Sequence, residues 1–197
     1  DYASGNWCEG LTAYMADHLI QEQRGTGDEY RRSTLQKYRD YVQTARDFPL
    51  SEFRGRFSAA TEAVGYGKSL MGYHMLRRHV GDDAFRAIVA RFYREFRGKR
   101  ASFRDFQHVA EAVSGEKLGW LFDDLITRTG APVLQVGEAG ADEAAHVTVR
   151  REGAAFVVAG VLRQIQPGNP FTLEVPIEVQ TAAGASATVV RMEGAEQ

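Results

Sequence analysis

Apolar residues recur at three- and four-residue steps through the first two thirds of the chain, and at every second residue through much of the rest. Leu11, Tyr14, Met15, His18 and Leu19 make a first helical stripe. A more polar helix is predicted over about Asp28 to Arg46, with Tyr30, Leu35, Tyr38, Tyr41 and Val42 on its buried side. A third runs from near Val64 through Met71, Met75 and Val80 to a stop at Gly81. Phe85, Ile88, Val89, Phe92 and Phe96 form the clearest stripe, closed by Gly98 and Lys99. "SFRD" (Ser102 to Asp105) then offers a serine N-cap with an acid three residues on. It opens a helix carrying Phe103, Phe106, Val109 and Val113 that ends at Gly115, and a last helix carries Leu118, Leu121, Phe122 and Leu125.

"TGAPV" (Thr129 to Val133) breaks the helical pattern: a glycine after a helix, then a proline that cannot continue one. Beyond it the period is two. His146 to Arg150 places Val147 and Val149 on one face; "REGAAF" (Arg151 to Phe156) is a hairpin turn leading into a strand through Val158. Phe171, Leu173, Val175, Ile177 and Val179 alternate after the break "PGNP", and Thr188 to Met192 makes a final strand. The predicted fold class is α+β: a mostly helical part over residues 1–130, then a small antiparallel sheet, half of a sandwich, over 131–197.

Composition sharpens that division. Residues up to Gly130 hold 20 of the 24 Lys+Arg and 19 of the 21 aromatics; Phe156 and Phe171 are the only aromatics after it. A chain of 197 residues, 44% hydrophobic, can bury a sizeable core. Its formal charge of −2 gives no basic footprint for nucleic acid. No apolar run approaches the roughly 18 residues of a membrane span. One cysteine, Cys8, excludes an internal disulfide. The chain opens without Met, inside a helical motif, and is expected to be a piece of a longer protein whose targeting region lies outside it; no compartment follows.

The five histidines, His18, His74, His79, His108 and His146, form no HExxH pair and read as surface or half-buried side chains. No GxSxG elbow, phosphate loop or CxxC pair is present. Two stretches carry more. "WCEGLTAY" (Trp7 to Tyr14) has Glu9-Gly10 followed by Tyr14, and "GYGKS" (Gly65 to Ser69) presents Tyr66 and Lys68. Downstream come Met75-Leu76, Gly81-Asp82 with Phe85, Phe92-Tyr93 near Phe96, Lys99 with Ser102 and Asp105-Phe106, then Trp120-Leu121-Phe122 and Gly130-Ala131-Pro132.

In order and rough spacing, over about residues 1–135, these segments resemble the M1 aminopeptidase family of gluzincin zinc peptidases. There an HExxH helix is followed by an NEG-x-x-x-Y helix and a YEKG box. The resemblance implies that Glu9 is the third zinc ligand and that Tyr66 is catalytic, donating its phenol O–H to the tetrahedral intermediate. It implies zinc and a peptide substrate in the intact parent. It also implies an upstream HExxH-containing part as partner, without which this chain holds no stoichiometric zinc and is inactive. Cys8 stands where Asn is usual, Gly67 where Glu is usual and Ser69 where Gly is usual. Substrate-binding residues are therefore not assigned. Self-association is expected through apolar residues near Leu11, Met15 and Met71, left exposed without that part. The M61 glycyl aminopeptidases, with a similar EG-x-x-x-Y, and a non-catalytic peptidase-like scaffold are the alternatives.

Overall fold

The computed structural model describes residues 2–42, 47–137 and 147–197. It divides into two compact units, Asp1–Gly130 and Ala131–Gln197. The first is helical: α1 (Cys8–Ala13), α2 (Leu19–Gln23), α3 (Gly27–Tyr41), α4 (Ala59–Glu62), α5 (Ser69–Val80), α6 (Asp82–Phe96), α7 (Phe103–Ser114) and α8 (Gly119–Thr127). The stretch expected to be one helix through His18 and Leu19 is interrupted. A π turn, Tyr14–His18, joins α1 to α2, and a second, Ala63–Lys68, joins α4 to α5. Such turns take in an extra residue and occur frequently at functional sites. The polar helix stops at Tyr41; the expected continuation through Gln43 to Arg46 lies outside the described residues.

The α6 stripe buries Phe85, Ile88 and Phe92, each worth about 1.5–3 kcal/mol of transfer free energy. Phe92 meets Phe106 of α7 at 4.9 Å between ring centroids. Ser102 and Asp105 form the expected capping box: the Asp105 backbone N–H donates to Ser102 Oγ (3.2 Å), and the Ser102 N–H to Asp105 Oδ2 (2.8 Å). Gly115 ends α7 in the left-handed conformation (φ 77°) that a residue with a Cβ disfavours. Ser58 and Thr61 make a second capping box at α4, with threonine in place of the usual Glu or Gln. Leu11, Met15 and Met71 are half-buried against the core rather than exposed.

Polar side chains hold the far end of the α1–α2 helix. His18 is fully buried and stacks on Tyr14 (4.6 Å, 12°), so the expectation of a surface or half-buried histidine fails there. Tyr14 lies 3.2 Å from Nδ1 of His74 on α5. His18 Nε2 lies 2.6 Å from Arg31 Nη1 on α3 and accepts its proton, which leaves the buried Nδ1 without a partner. Glu22 bridges Arg77 (2.8 Å) and Arg31 (3.7 Å), and Arg77 also binds Asp82. Burial, then the Arg31 charge, lowers the pKa of His18. Burial, then Arg31, His18, Arg78 and Arg77, pushes His74 down to about 3.

In the second unit the expected antiparallel pairing is present as three separate two-stranded ladders rather than one sheet. They are β1 (Leu134–Gly137) with β4 (Val161–Gln164), β2 (Thr148–Glu152) with β3 (Ala155–Ala159), and β5 (Leu173–Thr181) with β6 (Gly184–Met192). His146, expected to open β2, lies outside the described residues. β6 begins four residues before Thr188, and β1 and β4 have no alternating signature that announced them. Leu162, Phe171, Leu173 and Met192 are buried. Buried Gln164 holds them together: its Nε2 donates to the carbonyls of Phe171 (2.7 Å) and Gly194 (3.2 Å), and its Oε1 accepts from the Phe171 N–H (2.8 Å).

Both imidazoles bind protons less readily in the folded chain than in the unfolded one. Below about pH 6.5 the unfolded chain binds more protons, so their contribution to stability is complete above that value and is lost as pH falls, for His74 toward about 3. Urea melts at a series of acid pH values are expected to show His74→Asn with a shallower loss of stability than wild type, by up to about 1.4 kcal/mol per pH unit. A second test concerns packing. A Cβ on Gly65, in the π turn, would sit 2.1 Å from the Phe53 ring. Gly65→Ala is expected to lower the urea midpoint at unchanged slope, a loss of about 1–3 kcal/mol.

Candidate active site

Glu9 occupies the first turn of α1, where its carboxylate also complements the helix dipole. The start of that helix is fixed from three directions. The Trp7 indole N–H donates to the Ala101 carbonyl (2.8 Å), and its ring packs edge-on against Phe92 (4.9 Å). The Tyr73 hydroxyl donates to the Trp7 carbonyl (3.3 Å). The Asn6 N–H donates to the Phe53 carbonyl (2.8 Å). Gly5 (φ 106°) makes that last approach feasible, since a Cβ there would lie 2.4 Å from the Leu50 carbonyl oxygen.

Tyr66 projects from the second π turn. The two side chains singled out in the sequence are neighbours: the Glu9 carboxylate lies near enough to the Tyr66 phenol for its charge to act on it. Burial, then the neighbouring Glu9 carboxylate, raises the pKa of the phenol above its usual value, so it is protonated at neutral pH. The meeting depends on a close helix contact. Gly10 lies against Ser69 so tightly that a Cβ would fall 2.0 Å from Ser69 Oγ and 2.3 Å from Ser69 Cβ. Glycine at 10 thus brings α1 and the start of α5 together beside Glu9 and Tyr66.

Other candidates separate from this pair. The Cys8 thiol points to Asn6, donating to Oδ1 (2.9 Å), and its pKa is raised by burial and by the Glu9 charge. It therefore stays a thiol, unlike a ligating thiolate. An open cavity of about 830 Å³ is lined by Asn6, Trp7, Cys8, Arg54, Lys99 and Arg100, among others, and neither Glu9 nor Tyr66 borders it. Lys68 turns to the Arg128 carbonyl (2.5 Å).

The pair fits the edge of a metal centre: a half-buried carboxylate with an O–H donor beside it. Among the described residues no group of three His, Cys, Asp or Glu is arranged to hold a metal ion, so Glu9 would be one ligand of several. None of those residues' helices is long and apolar enough to cross a membrane. The His18–Tyr14–His74 cluster was not anticipated; the signal that could have found it is the two imidazoles, His18 and His74, on otherwise apolar helical stripes.

No family model matches the chain. Among curated proteins it is similar to a leucyl aminopeptidase of Saccharolobus solfataricus, 26% identical over 118 residues, which is 60% of this chain. It is also similar to a probable aminopeptidase of Sulfurisphaera tokodaii, 27% identical over 112 residues and 57% of this chain. In each case the chain spans 14% of the relative's length. Among solved structures it shares the fold of an M1 zinc metallopeptidase of Deinococcus radiodurans, at a TM-score of 0.54 and 22% identity over 68% of this chain and 30% of that one. The sequence similarity is thus to aminopeptidases, and the fold is that of an M1 zinc metallopeptidase.

Proposed function

We propose that the parent protein hydrolyses peptide bonds near the N-terminus of peptides, and that this chain contributes one zinc ligand, Glu9, and one catalytic donor, Tyr66. On this proposal residues 1–130 are the helical half of the catalytic domain and 131–197 the start of a β domain. The observation that carries it is the close Gly10–Ser69 contact, which puts the Glu9 carboxylate beside the Tyr66 phenol. Two residues 57 positions apart, matching separate family motifs, share one site. The curated relatives named as aminopeptidases support the same activity.

Zinc, when held there, would supply Lewis acidity toward the scissile carbonyl and a water acidified toward neutrality. Glu9 would contribute one carboxylate oxygen to holding it, its orientation fixed through Trp7 and Gly10. Tyr66 would then turn its O–H from Glu9 to the carbonyl oxygen as negative charge develops there. Only the hydroxyl would have to turn, since the ring is already held in place by the turn that carries it. The raised pKa keeps the proton on Tyr66, so the phenol acts as a hydrogen-bond donor and not as a base. The remaining ligands and the base that takes the water's proton would come from an upstream HExxH-containing part.

The full-length protein tests this directly. Glu9→Ala is expected to lose stoichiometric zinc, measured by elemental analysis after dialysis. Tyr66→Phe is expected to keep its zinc and its KM while kcat falls on the order of 10²–10³-fold. Wild-type kcat in zinc-replete Tyr66→Phe would make Tyr66 a packing residue. The 197-residue chain alone is expected to retain no stoichiometric zinc after dialysis against a chelator and to show no turnover of aminoacyl substrates.

A further inference from the structure

Tyr66 sits in a π turn, and the sequence around it does not by itself favour one. A π turn takes in one residue more than the α-helix it interrupts. Were Ala63–Lys68 to relax to α geometry, residues on one side would rotate by about 100° relative to the other. Tyr66 would leave Glu9. Something must hold this turn. Gly65 and Gly67 let it lie close to its neighbours: a Cβ on Gly65 would meet the Phe53 ring at 2.1 Å, and one on Gly67 would meet Thr34 Cγ2 at 3.1 Å. These glycines permit the turn, but a glycine pulls on nothing.

Lys68, the last residue of the turn, does pull. Its half-buried side chain runs away from Glu9, and Nζ donates to the Arg128 carbonyl at 2.5 Å. Arg128 follows the last residue of α8 in extended conformation (φ −98°, ψ 144°), without the left-handed glycine that often satisfies terminal carbonyls. A cation there satisfies one of them and complements the helix dipole. The acceptor is itself held. Asp47 Oδ2 accepts from the Tyr38 hydroxyl (2.8 Å) and from the Gly130 N–H, which fixes the backbone two residues beyond Arg128 to α3. Burial lowers the Lys68 pKa, opposed by Asp47 and Asp124, with Arg128 adding to the fall. An ammonium is not placed in such surroundings for solubility.

We propose that Lys68 is a positioning residue for Tyr66: by tethering the end of the π turn to the Arg128 carbonyl, it keeps the Tyr66 phenol aimed at Glu9. The catalytic consequence rests on the function proposed above; the positioning itself does not. Lys68→Met keeps the aliphatic stem and removes only the ammonium, and Lys68→Arg restores a cationic donor.

With tyrosine labelled with ¹³C at Cζ, the Tyr66 resonance is assigned by its loss in Tyr66→Phe, and Glu9→Gln gives its position without the carboxylate. Lys68→Met is expected to move that resonance toward the Glu9→Gln position, and Lys68→Arg to return it toward wild type. In the zinc-loaded full-length protein, Lys68→Met is expected to lower kcat by on the order of ten- to 10²-fold at unchanged KM and zinc content. The same change made in Tyr66→Phe should cost nothing further. An unmoved resonance in folded Lys68→Met overturns the proposal. So does an equal kcat loss in both backgrounds, or a Lys68→Met chain that fails to fold, which would make Lys68 a general stability residue. Should Tyr66→Phe keep wild-type kcat, the catalytic assignment falls and the resonance alone decides the positioning.

Discussion

The candidate site depends on a contact with no room to spare. Gly10 and Ser69 touch where α1 passes the start of α5, and not even a methyl group fits between them. Glu9 and Tyr66 flank that contact, each within three residues of it. A wider crossing would separate carboxylate from phenol whatever their side chains preferred. Ser69 is itself fully buried at this contact.

Around this contact the helical unit separates two kinds of polar chemistry. At the start of α1 lie groups with room to change partner: a phenol on a carboxylate, and a thiol on an amide. At the far end of the same helix run lie groups whose partners are locked. His18 and His74 are kept neutral by burial and by the arginines around them, and Glu22 spends its charge between Arg31 and Arg77. Rigidity at that end, together with the Trp7 anchor at the other, leaves Glu9 little freedom. Should it ligate zinc as proposed, a carboxylate held this way would lose little entropy on binding.

Much of the helical unit was legible because its signals are local. The α6 stripe, the Ser102–Asp105 cap and the Gly115 stop each lie within one or two turns of sequence, and each is present. The π turns were not legible. The contacts around Ala63–Lys68 are tertiary, in the Gly65–Phe53 approach and the reach of Lys68 to Arg128, 60 residues away. The second cap was missed because Thr61 does what Glu or Gln usually does. Among the strands, the alternating runs of β5 and β6 stood out, whereas β1 and β4 are only four residues each, too short for a period to show. At the site, Glu9 and Tyr66 were singled out by motif resemblance. Composition and period alone would have left Glu9 as a dipole-favoured acid.

The two π turns also bear on descent. Each accommodates a residue that a relative with an uninterrupted helix would lack, so the two chains match only if a single-position gap is opened inside a helix, where gaps are rarely tolerated. Tyr14 and Tyr66 both lie in such turns. Against a relative whose helix ran uninterrupted there, a tyrosine would stand one column away from its counterpart and still occupy the same place in space.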